Sequence, residues 1–144
     1  LFRTAFSVIC YWALLVAFGV VDVKSSWLSP LVALLGGAAF GALMMGIVAG
    51  VEKDDYFLTV LGRLVITPLF LFSGTFFPLS NMPIYLQWIG WISPLWHTTE
   101  LGRFFTYDHS ISSLMIVIHF VYLIAMLIFG FQLANRRFIK RLLK

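Results

Sequence analysis

Charge is scarce in this 144-residue chain, in which aspartate, glutamate, lysine and arginine together make up 11% of the residues. A soluble domain carries about 25% of these residues and about 45–50% apolar ones. Here the hydrophobic share is 61%. The composition therefore excludes an ordinary soluble domain and a disordered tail, and it predicts a chain that places much of its surface in lipid.

Residues that carry chemistry are also scarce. The single cysteine, Cys10, excludes an intrachain disulfide framework and a multi-cysteine metal site. There is no glycine-rich loop with a lysine for nucleotide phosphates, so a P-loop ATPase is not expected. The three histidines do not have the spacing of metal ligands; they are His97, His109 and His119. A nucleophile and base could be drawn from Ser93, His97 and Glu100, but their spacing does not favour it.

Four apolar stretches approach the length of about 20 residues that crosses a bilayer as a helix. They are residues 4–21, 31–51, 56–77 and 111–134. The third contains Arg63 and Pro68, and the fourth contains His119. The sequence predicts one all-α integral membrane domain over residues 1–144, with four transmembrane helices in a polytopic bundle.

Positive charge lies mostly on one side of this predicted bundle. With four spans, both termini share a side, and eight lysines and arginines fall there: Arg3, Lys53, Arg63, Arg136, Arg137, Lys140, Arg141 and Lys144. Only Lys24 and Arg103 fall on the other side. Cytoplasmic segments carry the excess of lysine and arginine, so both termini are predicted to be cytoplasmic. The basic tail 135–144 is expected to anchor on anionic lipid, with a specific partner site as the alternative.

The segment between the last two predicted spans, residues 78–110, is long but not polar. Pro83 and Pro94 bound a stretch too short to span, and aromatic side chains favour the headgroup zone. One helical face of this stretch would carry Ile84, Trp88, Trp91, Ile92 and Leu95. We expect an extracytoplasmic interfacial or re-entrant helical element that dips into the outer leaflet or packs over the bundle.

Several polar positions have both a structural and a functional interpretation. Glu100 and Arg103 have helical spacing, which fits a structural ion pair or a role in substrate passage and gating. His119 is the ionisable group inside an otherwise uncharged span, so it is either a hydrogen-bonded structural residue or a functional one. The inner turn Glu52, Lys53, Asp54 and Asp55 is either a solvated loop or a docking point for a cytoplasmic partner.

The second predicted span is rich in small residues. Gly37 and Gly41 share one helical face, as do Gly46 and Gly50, and this spacing permits close contact between membrane helices. It predicts tight packing and says little about function.

A longer ordered pattern begins at residues 72–79, FSGTFFPL, and continues through Met82-Pro83 and LQWI at 86–89. It ends with SPLWH at 93–97 and ELGR at 100–103. This series resembles the permeases of type-2 ATP-binding-cassette exporters, and most of all the branch of nodulation lipo-oligosaccharide and daunorubicin-type drug exporter permeases. The resemblance covers essentially the whole chain. It implies that the four predicted spans correspond to spans three to six of a permease that has six. The chain, which begins with Leu1, is therefore expected to be a fragment.

The resemblance implies a transport subunit in the bacterial inner membrane rather than an enzyme. Two permease copies would pair, and separate ATPase subunits holding ATP and Mg would dock on the cytoplasmic side, with Glu52, Lys53, Asp54 and Asp55 as one contact. The chain itself would bind no cofactor. Residues 78–108 would form an outer helical hairpin at the exit, with gating candidates Pro78, Trp96, His97, Glu100 and Arg103. The cargo would be amphipathic: a lipo-oligosaccharide, a glycolipid or a hydrophobic drug.

Two other classes stay open. A membrane assembly or anchor subunit without transport would have no ATPase partner. A membrane-embedded enzyme acting on lipid-linked sugar would need clustered acidic or histidine residues at one leaflet, and the turn at 52–55 has no histidine. Nucleic acid is not an expected partner, because the net charge of +4 is small and lies mostly at one end.

Overall fold

The regular structure of the chain is helical. The computed structural model describes residues 2–51, 55–107 and 110–143, without the side chain of Asp55, and these residues include no strand. The helices are α1 Phe2–Ala17, α2 Val23–Ser26, α3 Ser29–Val48, α4 Asp55–Val60, α5 Thr67–Leu71, α6 Ile84–Ile92, α7 Pro94–Tyr107 and α8 Ser113–Leu142. A π-helical segment, Leu61–Ile66, joins α4 to α5, and a 3₁₀ turn covers Leu79–Asn81. The all-helical prediction is confirmed for these residues.

Two helical runs are long and apolar enough to cross a bilayer. They are Val23–Val48, with 26 residues, and Ser113–Leu142, with 30 residues. The apolar helices Phe2–Ala17 and Tyr56–Leu71 are shorter. Length and composition therefore support two of the four expected spans, and the count of four stays a prediction.

The third apolar stretch changes its helical geometry before Pro68. The Thr67 N–H donates to the Gly62 carbonyl, one residue further back than in an α-helix, and the Thr67 hydroxyl donates to the same oxygen at 2.9 Å. A proline lacks the N–H that continues the α-helical ladder, and such a widened turn is one way to accommodate it. The helix ends at Leu71, before the predicted end at residue 77. Gly74, with φ +76°, turns the chain soon afterwards.

The core forms where α3, α7 and α8 meet. Its buried members are Val32 and Ala39 from α3, Leu101 from α7 and Leu123 from α8. Glycines bring the helix backbones close together: a Cβ on Gly36 would lie 2.0 Å from the Thr98 hydroxyl oxygen. Since α7 packs on both long helices, the segment after α5 is tied to the bundle.

The outer face of α8 is as apolar as its inner face. Its buried residues are His119, Leu123, Gly130 and Ala134. An exposed stripe at alternating spacings of three and four residues comprises Leu114, Val117, Val121, Ile124, Ile128 and Phe131. A soluble surface rarely exposes such a continuous apolar patch, so this helix suits a lipid environment.

Candidate functional site

An open cleft of about 780 Å³ lies along the segment that follows α5. Its walls combine aromatic rings with a carboxylate, a guanidinium, an amide and hydroxyls: Pro78, Leu79, Ser80, Gln87, Trp91, Trp96, Glu100, Arg103, Tyr107 and Ser110. Four of the five predicted gating residues line it, and the fifth, His97, is buried behind Trp96. The volume lies in the range of ligand pockets, and the mixed walls suit a molecule with polar and apolar parts.

The cleft is built by a break between two helices. α6 ends at Ile92, and Pro94 opens α7, where the missing N–H of proline costs no hydrogen bond. Between them, the Ser93 N–H donates to the Gly90 carbonyl and the Ser93 hydroxyl donates to the Leu69 carbonyl at 3.0 Å. Leu95 therefore belongs to α7, whereas the sequence pattern placed it on one face with α6 residues.

A half-buried ion pair forms one wall. The Arg103 guanidinium lies 3.2 Å from the Glu100 carboxylate, and their side chains are 25% and 14% exposed. A second guanidinium nitrogen donates to the Gly74 carbonyl. Gly74 adopts a positive φ that other residues rarely take, so the loop after α5 presents this oxygen to α7. Arg103 thus binds the loop to the cleft wall, and Glu100 pairs with the same guanidinium.

Trp96 leaves a polar atom without a partner. Its indole nitrogen is buried and has no hydrogen-bond partner among the described residues, although the side chain lines the cleft. An unpaired buried donor costs about 1–3 kcal/mol, so such groups are few in folded proteins. The Trp96 N–H is therefore an unpaired buried donor at the wall of the cleft.

Two histidines that the sequence leaves unrelated meet behind the cleft. The Nδ1 atoms of His97 on α7 and His119 on α8 are 2.7 Å apart, and His97 Nε2 lies 2.9 Å from the Trp91 carbonyl oxygen. A carbonyl only accepts, so His97 Nε2 carries the hydrogen and its Nδ1 accepts from His119. The resulting relay, His119 to His97 to Trp91, holds three helices together.

Aromatic rings enclose this histidine pair. The Tyr122 ring stacks on His97 with centroids 3.9 Å apart, and the Trp96 ring meets both imidazoles edge-on. The Tyr122 hydroxyl donates to the Ile92 carbonyl, so α7 and α8 each cap a terminal carbonyl of α6. Burial lowers the pKa of His97 to about 4, and the imidazole is neutral at physiological pH.

The structure does not bring together the other reactive or metal-binding groups that were considered from the sequence. The Ser93 hydroxyl is directed to Leu69 and His97 to Trp91, so they do not form a nucleophile and base pair. In the part of the chain that the structure describes, no cluster of three histidine, cysteine, aspartate or glutamate residues could hold a metal.

The glycines of the second apolar stretch differ in their surroundings. A Cβ on Gly37 would lie 3.6 Å from a Thr4 methyl, and one on Gly41 would meet open space. A Cβ on Gly46 would lie 3.0 Å from Leu133, and one on Gly50 would lie 2.2 Å from the Arg137 guanidinium. The sequence pattern missed Gly36 and Gly130, because their close neighbours come from distant helices.

The predicted ATPase contact lies largely outside the described residues. Glu52, Lys53 and Asp54 belong to the part that is not described, and Asp55 is described only as the first residue of α4. The ends of this turn are nevertheless placed, at Val51 after α3 and at the start of α4.

Comparisons with known proteins agree with the resemblance in the motifs. The ABC-2 type transporter family matches residues 1–107. Nodulation protein J of Rhizobium leguminosarum bv. trifolii is 40% identical over 83 residues, which cover 55% of this chain and 31% of that protein. Nodulation protein J of Bradyrhizobium diazoefficiens is 34% identical over 94 residues, covering 60% and 36%. The matched part thus spans about a third of these curated relatives, and no solved structure matches the chain. Since the family match takes in α1 through α7, the chain belongs to the ABC-2 type transporter family.

Proposed function

We propose that this chain is part of the permease subunit of an ATP-driven exporter. The observation that carries the proposal is the ABC-2 family match, which covers residues 1–107 and includes most of the cleft-lining residues. The ATP chemistry would reside on a separate ATPase subunit that binds the cytoplasmic side. Residues 52–55 are the proposed contact, and a second permease copy would complete the pathway.

The proposed topology places four helices across the bacterial inner membrane. α1, the α2–α3 run, the helix from 55 to 71 and α8 would cross, with α6 and α7 forming a hairpin on the outer side. The apolar outer stripe of α8 supports its exposure to lipid. α8 is about 45 Å long at 1.5 Å per residue, so its basic end would extend beyond a hydrocarbon core of about 30 Å.

The cleft suits an amphipathic cargo at the exit of the pathway. Trp91 and Trp96 offer apolar ring surface, whereas Glu100, Arg103 and Gln87 offer hydrogen bonds to polar groups. A lipo-oligosaccharide, a glycolipid or a hydrophobic drug with a polar group would match this mixture. A simple ion would need rings of charge or of carbonyl groups along its path.

A direct test is ATP-dependent export by the permease reconstituted with its ATPase in vesicles. Glu100→Gln keeps the shape of the side chain but removes the charge that pairs with Arg103. We expect export per folded molecule to fall at least about fivefold, the lower end of the range for coupling between sites. Lys24→Gln is the matched control, since it changes an exposed charge outside the cleft.

Two results would each contradict a different part of the proposal. Unchanged export in Glu100→Gln would make the ion pair structural and remove the cleft from the pathway. Absence of a complex between the wild-type permease and its ATPase would remove the transport function itself and favour an assembly or anchor subunit.

A further inference from the structure

The basic end of α8 divides its arginines between two faces of the helix. Arg137 is half-buried, and its Nη1 lies 2.9 Å from the Gly46 carbonyl and 3.0 Å from the Ile47 carbonyl. Arg141, one turn later, donates to the Val51 carbonyl. Arg136 and Lys140 are exposed on the neighbouring face. Only this second pair is oriented as a pure lipid-anchoring tail would require.

One of the two carbonyls that Arg137 reaches, that of Gly46, lacks its helical donor. At the end of α3, the Gly50 N–H donates to Ile47 rather than to Gly46, and the Val51 N–H donates to Val48. This tightening leaves the Gly46 oxygen without its usual helical partner. The cationic guanidinium supplies the hydrogen bond and also faces the negative end of the helix dipole.

Glycine makes this contact possible. A Cβ at Gly50 would lie 2.2 Å from Arg137 Nη1 and 2.6 Å from its Cζ, inside van der Waals contact. One turn earlier, Gly46 lies against Leu133, and Gly130 lies against the backbone of Ala42 and Leu43. The α3–α8 contact therefore continues to Val51, where this described segment of the chain ends.

From this geometry we infer that Arg137 is a positioning residue for the ATPase, because it holds the end of α3, which leads to Val51 and then to the proposed contact at residues 52–55. Arg141 supports it at Val51. The inference rests on the proposed function, because residues 52–55 would meet an ATPase only in an exporter. It assigns Arg137 to coupling between the ATPase and the last helix rather than to lipid binding.

The first experiment tests the contact itself without the ATPase. Val51→Cys, in the permease that also carries Cys10→Ser, reports access to the end of α3 through its rate of maleimide labelling. Arg137→Gln should speed labelling by about tenfold, because the charge-assisted hydrogen bonds of the Arg137 guanidinium limit access to the end of α3. Arg136→Gln is the matched control on the exposed face and should leave the rate unchanged. Equal rates in both variants would overturn the assignment.

The second experiment measures how strongly the permease stimulates its ATPase. Arg137→Gln and Gly50→Ala should each lower the stimulation at least about fivefold at equal folded yield, and Arg137→Lys should restore part of it. Arg136→Gln should behave as wild type. Full stimulation by Arg137→Gln would refute the positioning role and leave the exporter intact. If wild type neither binds nor stimulates the ATPase, the proposed function fails, and the coupling role fails with it.

Discussion

At the scale of single residues, the buried histidine pair shows how chemistry that is spread along the sequence becomes one unit. His97 and His119 are 22 residues apart and lie on different helices, but their rings share one hydrogen. His97 can accept from His119 only while its Nδ1 is unprotonated, since two N–H groups cannot bond to each other. Tyr122 and His119 are the titratable groups in direct ring contact with His97.

We expect the protein to lose stability in mild acid through His97. Its pKa is about 4 in the fold, below the ordinary value of 6.5, so the unfolded chain binds the proton first as pH falls. The stabilising contribution is complete above about pH 6.5 and is lost progressively towards pH 4, with about 2 kcal/mol lost by about pH 5. Thermal unfolding in detergent at about pH 7.5 and about pH 5 measures this loss.

The control for this prediction is His97→Gln. It should be less stable than wild type near neutrality, because the link to His119 is weakened, and its melting temperature should depend less on pH. A wild-type melting temperature that is equal at the two pH values would show that His97 does not carry this sensitivity.

At the scale of helices, close packing depends on glycines that face a partner backbone. Regular spacing selected Gly37, Gly41, Gly46 and Gly50, but spacing alone does not say which side of α3 faces α8. The structure leaves Gly41 beside open space and puts Gly130, from the other helix, against α3. The packing role of Gly41 within this chain therefore stays a prediction.

Alanine substitutions at Gly130 and Gly41 should separate the effect of helix packing on stability from the effect of helix propensity. A Cβ at Gly130 would lie 2.5 Å from the Leu43 backbone nitrogen, so Gly130→Ala must push α3 and α8 apart and should cost about 1–3 kcal/mol. Gly41→Ala meets nothing and should be neutral or stabilising by up to about 1 kcal/mol. Unfolding curves of the two variants test this order, and equal destabilisation would contradict the observed helix contact.

At the scale of the whole molecule, the lengths of the helices and the distribution of charge are two kinds of evidence on the membrane topology. Two helical runs are long enough to span, while the third stretch is interrupted by a π-helical segment and the first is short. The count of four spans therefore depends on the four apolar stretches of the sequence, and their orientation depends on the distribution of lysine and arginine, eight on one side and two on the other.

Cysteine labelling in intact cells tests this topology. In the Cys10→Ser background, Ser80→Cys and Ser110→Cys should react with an impermeant maleimide from outside, since both positions are exposed beside the cleft. Lys140→Cys, exposed near the end of α8, should react only after the membrane is opened. Labelling of Lys140→Cys from outside would reverse the assignment.

The amino-acid sequence alone was enough to predict the class of the protein. Low charge and long apolar stretches predicted a helical membrane protein, and the motifs from residue 72 to residue 103 predicted the ABC-2 family, because both depend on residues close together along the chain. Only the tertiary structure paired His97 with His119 and directed Arg137 to the end of α3, 91 residues from Gly46. Such contacts depend on which helix faces meet, and in helices that are apolar on every side no hydrophobic pattern marks those faces.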